Sequence, residues 1–105
     1  MKKNYLLAAG LLTVLSSIAA ENVIANPKLA QEKNCLNCHQ VDKKLIGPPY
    51  KQVAAKYRKD RDAENRLVKK VLEGSYGTWG QVPMPANQVS EDEARTLVKW
   101  VLSLK

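Results

Sequence analysis

Phenylalanine is absent from this 105-residue chain, histidine occurs once and cysteine twice. Methionine occurs twice, and one of the two is the initiator Met1. These scarcities narrow the chemistry. With His39 alone there is no multi-histidine metal site and no second histidine for acid–base work. Cys35 and Cys38 allow one disulfide at most, across a loop so short that it would hardly constrain the unfolded chain. The main apolar run, Tyr5 to Leu15, is broken by Gly10 and is short for a membrane span. No internal repeat, low-complexity tract, strand-rich alternation or nucleic-acid motif is present, and no carboxylate pair sits in a pocket-forming motif.

What is there centres on Cys35-Leu36-Asn37-Cys38-His39. C-x-x-C-H is the pattern at which haem is attached covalently. The two thiols add to the two vinyl groups of the porphyrin, and the spacer sets them about one helical turn apart. The next histidine then falls under the iron, where an imidazole nitrogen can ligate it. Met84 is the single methionine beyond Met1, so an iron held by one histidine and one methionine has one candidate of each kind. Zinc is a weaker reading, because the cluster offers three ligands and zinc wants four. A thioredoxin-like dithiol would need a βαβ context that the pattern does not supply.

The N-terminus fits this chemistry. Lys2 and Lys3 precede the apolar run, and Ser16, Ser17, Ala19 and Ala20 follow it. That order is a secretory signal peptide, with cleavage expected after Ala25 or, alternatively, after Ala20. Covalent haem attachment in bacteria follows export, so the signal and the motif support each other. The remaining domain, residues 26–105, is small and needs a staple. Haem would supply it as an apolar disc, which accounts for the missing phenylalanine and predicts a poorly folded apoprotein. The formal charge is +7. Cations cluster at Lys43-Lys44, at Lys56, Arg58, Lys59 and Arg61, and at Lys69-Lys70. On an exported chain without a nucleic-acid motif they suggest an acidic redox partner rather than nucleic acid.

The pattern is helical. Asn26-Pro27 reads as cap and first residue of a helix running to about Cys38. Gly47-Pro48-Pro49 breaks the chain before a short helix, Tyr50 to Tyr57. Asp62 should cap a helix from Ala63 to Glu73, closed by Gly74. Gly74 to Asn87 is a Gly- and Pro-rich loop in which Pro83 and Pro85 stiffen the backbone around Met84. Ser90 and Glu93 form a capping box opening a C-terminal helix, Glu91 to about Leu104, which should pack across the first. The expected fold class is all-α, about four helices around one haem.

These segments resemble the short bacterial monohaem class I cytochromes c of the c-551/c-552 group. The likeness rests on Cys-Leu-Asn-Cys-His (35–39), Ile-Gly-Pro-Pro-Tyr (46–50), Val-Ala-Ala-Lys-Tyr (53–57), Gly-Thr-Trp-Gly-Gln-Val-Pro-Met-Pro (77–85) and Lys-Trp-Val-Leu-Ser-Leu-Lys (99–105). It implies thioether bonds at Cys35 and Cys38, with His39 and Met84 as axial ligands. It further implies that the Pro48 carbonyl accepts from the second nitrogen of His39. Trp79 and Lys70 would meet the haem propionates, and Asn87 would orient the Met84 side. Ala30, Pro49-Tyr50 and Ala86 depart from other members, touching packing and loop stiffness but not ligation. The implied protein is no enzyme. It is a monomeric periplasmic electron carrier between a quinol-oxidising complex and a terminal oxidase, nitrite reductase or peroxidase. A haem enzyme or gas sensor would require Met84 to be displaceable.

Overall fold

Helix boundaries follow from where apolar residues recur at helical spacing. In the computed structural model, which describes Gly10, Thr13 and residues 21–105, four α-helices and one 3-10 turn are formed. They are α1 (Glu21–Glu32), α2 (Tyr50–Tyr57), α3 (Ala63–Glu73) and α4 (Glu91–Ser103), with the 3-10 turn at Cys35–Asn37. Most of the signal-peptide reading falls on residues outside those described. Among the described residues no helix is long and apolar enough to cross a membrane.

The last helix organises the rest. Ala94, Leu97, Val98 and Val101 follow the i, i+3, i+4, i+7 spacing, and all four are buried. The helix is in contact with α1, α2 and α3. On one side Val101 packs with Tyr50 and Val53 of α2. On another, Ala94 and Val98 pack with Val68 of α3, and Leu67 borders both clusters. Ala30 of α1 and Ala94 of α4 are fully buried, and such small side chains let helices approach closely. No large side chain is completely buried among the described residues.

Side-chain chemistry fixes the start of α4. The Ser90 hydroxyl accepts from the Glu93 amide at 3.1 Å, and the Glu93 carboxylate accepts from the Ser90 amide at 3.0 Å. Glu93 also pairs with Lys33 at 3.0 Å, tying the end of α1 to this first turn. Those partners hold the Glu93 carboxyl below its ordinary range, the Ser90 amide being the larger cause and Lys33 the next. Arg95 joins α4 to α3 through Glu64 at 2.8 Å and Asn65 at 3.0 Å.

Three local expectations are corrected. The first helix does not open at Asn26-Pro27: Pro27 lies inside α1, which begins at Glu21. Pro27 is the seventh residue of this helix, where it forfeits one intrahelical hydrogen bond and crowds the Val23 carbonyl, a cost the helix carries rather than a start signal it obeys. That helix ends at Glu32 rather than near Cys38, because Asn34 turns left-handed at φ 65°. Asparagine tolerates this region where most residues do not. Asp62 stands at the N-terminus of α3 without capping it. Its carboxylate accepts from the Asn65 side chain instead, and its own amide donates to Asp60.

Candidate haem site

The motif stands on the 3-10 turn that follows Asn34, and the amides of Cys38 and His39 both donate to the Cys35 carbonyl, at 3.2 and 3.0 Å. His39 is the one buried polar or charged residue among those described, 8% exposed. The next loop is laced back onto the motif by three amides. Gly47 donates to Cys38, Tyr50 to Gln40 and Lys51 to Val41, at 2.7, 2.9 and 3.1 Å. This brings the Pro48 carbonyl oxygen to 2.8 Å from His39 Nδ1. A carbonyl only accepts, so Nδ1 carries the proton and donates. Nε2 is then the bare nitrogen, the form a metal requires.

Two neighbours pack against the imidazole. Tyr50 stacks on it with ring centroids 4.7 Å apart and planes 18° from parallel, and Trp100 meets Tyr50 edge-on at 5.5 Å. Gly47 also lies close: a Cβ there would stand 2.5 Å from His39 Cε1. Only glycine allows this approach. Burial, and then the nearby Cys35 thiol, pushes the Tyr50 phenol far above its ordinary range. Burial likewise raises the Cys35 thiol. Both cysteines are free rather than disulfide-bonded.

His39 lines a cleft of about 590 Å³, within the size range of cofactor pockets. Met84 lines it as well, from a loop anchored in three ways. Ser75 and Met84 exchange backbone hydrogen bonds of 2.9 and 2.8 Å, forming an isolated antiparallel bridge. Gly74 closes α3 at φ 89°, and a Cβ there would be 2.9 Å from the Met84 carbonyl. Asn87 donates through its side chain to the carbonyls of Val71 and Pro85, at 3.1 and 3.2 Å. Asn87 therefore pins the segment after Met84 to α3 and does not itself line the cleft.

Cys38, Pro48, Lys70 and Trp79 line the same cleft, whereas Cys35 does not. Cys35 is half-buried and packs against the Tyr50–Val53–Val101 cluster. Lys70 Nζ donates to Tyr57 Oη at 3.3 Å and to Thr78 Oγ1 at 3.1 Å. Trp79 is 41% exposed, with Lys56 Nζ 5.6 Å from its ring centroid. Sequence reasoning does not assign Gly47, Tyr50, Ser75 or Thr78 to the site. Each acts through a contact made only by the folded chain, although Gly47 beside Pro48-Pro49 was visible as a breaker.

The donor set suits haem better than zinc. Among the described residues no group of three or more His, Cys, Asp or Glu side chains is gathered to hold a metal ion. What is gathered is a bare imidazole nitrogen and a thioether on an apolar cleft, with two free thiols on the adjoining turn.

Comparison with known proteins agrees. Residues 25–105 match the family model described as cytochrome c. The chain is 46% identical over 100 residues to cytochrome c-551 of Pseudomonas aeruginosa, covering 95% of this chain and 92% of that protein. It is 48% identical over 82 residues to cytochrome c-552 of Nitrosomonas europaea, covering 77% and 80%. The crystal structure of the wild-type Nitrosomonas europaea cytochrome c552 superposes with a TM-score of 0.74 at 48% identity, over 75% of this chain and 99% of that one. The helical fold, the covalent haem and the role of electron carrier rather than enzyme follow together. The chain belongs to the cytochrome c family, as a class I monohaem member.

Proposed function

We propose that the protein carries single electrons through the periplasm by way of a haem iron held between His39 and Met84. The observation that carries this reading is the Pro48 carbonyl 2.8 Å from His39 Nδ1, which leaves Nε2 bare in a cleft that Met84 also lines. Bound haem supplies a one-electron Fe(III)/Fe(II) couple. The protein's part is to hold that couple still. The Pro48 carbonyl orients the imidazole and strengthens it as a donor. Gly47 and Tyr50 fix the ring plane. The Ser75 bridge and Asn87 hold the Met84 segment. Trp79 and Lys70 would bind the propionates, and Cys35 and Cys38 would carry the thioethers. Were His39 and Met84 both to hold the iron, the site would offer electron transfer rather than substrate binding.

Residues 1–25 serve as the export signal in this reading, leaving 26–105 as the haem domain. The family match from residue 25 supports that division. Cleavage after Ala25 would make Asn26-Pro27 the new start of α1; cleavage after Ala20 would keep Glu21 there. Partners would meet the cleft rim, where Leu45, Ile46, Tyr76 and Val82 are exposed beside Lys44 and Lys70. Such a contact is small, transient and salt-sensitive. A quinol-oxidising complex as donor, and a terminal oxidase, nitrite reductase or peroxidase as acceptor, have the chemistry required. Optical spectroscopy of the periplasmic protein tests the reading. A sulfur-to-iron charge-transfer band when oxidised, and no response of the reduced protein to carbon monoxide, is the expected result. Ready carbon monoxide binding would mean an open iron and a haem enzyme or sensor.

A further inference from the structure

The cations of this protein fall into two groups. Lys28, Lys33, Lys51, Arg66, Lys69, Arg95 and Lys99 each have an acidic partner. The other eight described cations have none among the described residues; Lys44 and Lys70 of these line the cleft, and Lys56 follows from the next helix beside the lining residue Tyr57, but Lys56 and Lys70 differ from the rest. Their ammonium groups rest on aromatic rings instead. Lys56 Nζ lies 5.6 Å from the Trp79 centroid, and Lys70 Nζ lies 5.8 Å from the Tyr57 centroid. Lys70 also donates to Thr78, the neighbour of Trp79, and Tyr57 is the neighbour of Lys56. Two unpaired ammonium groups are thus held along one strip, Tyr57–Thr78–Trp79, at the edge of the cleft.

Two cations seated along one aromatic strip make a favourable place for an anion. Ring contacts hold each ammonium only weakly at exposed sites. The cofactor would bring two carboxylates, and the strip offers two cations, Lys70 in the cleft lining and Lys56 over the lining residue Trp79. We propose that Lys56 is a second propionate-binding residue of the haem site, stationed by Trp79 as Lys70 is stationed by Tyr57 and Thr78. This rests on the placement of haem in the cleft with its carboxylates toward Trp79. Lys56 is a positioning residue: it orders the propionate and, as a nearby positive charge, favours the reduced iron.

The test uses the holoprotein with Lys56→Gln, Lys56→Arg and, as an equal charge change on α3 outside the cleft lining, Lys69→Gln. Lys56→Gln should lower the midpoint potential by more than Lys69→Gln does and should shift the propionate bending band in the resonance Raman spectrum. Lys56→Arg should restore both. A potential drop no larger than that of Lys69→Gln, or an unmoved propionate band, would overturn the proposal. The propionate band reports on Lys56 whatever ligates the iron. The sulfur-to-iron charge-transfer band reports on Met84 alone, so the two readings fail separately.

Discussion

The α3–α4 face and the cleft face of this protein are built by different means. On the first, side chains carry the structure: Ala94 and Val98 pack on Val68, Arg95 bridges to Glu64, and Ser90 and Glu93 cap each other. Its cations are paired. On the cleft face, backbone carries the structure. Gly47, Tyr50 and Lys51 donate amides to the motif, Ser75 and Met84 pair as one bridge, and Gly74 and Gly47 permit approaches no other residue could make. Its cations Lys56 and Lys70 have no acidic partner among the described residues, and Ile46, Tyr76 and Val82 are exposed. The helical face is complete in itself, whereas the cleft face is shaped for something other than protein.

The sharpest break in that comparison is loss of haem attachment. Replacing Cys35 and Cys38 together by alanine should cost most of the folded population, and the cleft face should lose amide protection first. Hydrogen exchange on the unattached protein would show this. Uniform native-like protection across both faces would contradict it. Next comes Gly47→Ala. A methyl group 2.5 Å from the His39 ring must displace the imidazole. The expected loss is about 1–3 kcal/mol by thermal melting, with a perturbed haem spectrum. An unchanged spectrum would mean the loop moves instead of the ring.

On the helical face the effects are smaller. Ser90→Ala should cost about 1 kcal/mol of stability, with the potential and spectrum unmoved. The cap also has a pH signature. The folded Glu93 carboxyl titrates below its ordinary value, so the unfolded chain binds its proton first as pH falls. This contribution is fully present above the ordinary glutamate pKa and is lost as pH drops through the lowered folded value. Denaturant titrations at falling pH should therefore show the wild type and Glu93→Gln converging. A gap that stays constant with pH would count against the cap as its source. Smallest is Arg95→Ala, expected to cost no more than about 1 kcal/mol because its partners are partly exposed.

The same contrast explains what could be read from the sequence. Helices α2, α3 and α4 announce themselves through apolar spacing, and Ser90–Glu93 announces its own cap. The ends of helix α1 are not legible, because Asn26-Pro27 imitates a helix start and nothing local reveals a left-handed Asn34. Asp62 has the right type and position for a cap, yet Asn65 takes its carboxylate. On the cleft face the motif residues were legible as chemistry. Their supports were not, since the Tyr50 stack, the Ser75–Met84 bridge and the Lys56–Trp79 contact join positions with no shared periodicity.

The central proposal is that Met84 would hold the haem iron together with His39. Proton NMR of the reduced holoprotein tests it most directly. Met84 is the one methionine beyond Met1, so in a holoprotein prepared without residues 1–25 its methyl resonance is unambiguous. The account predicts that this methyl is shifted far upfield by the porphyrin ring current and vanishes in Met84→Leu. A methionine methyl at its ordinary position in the reduced protein would contradict it.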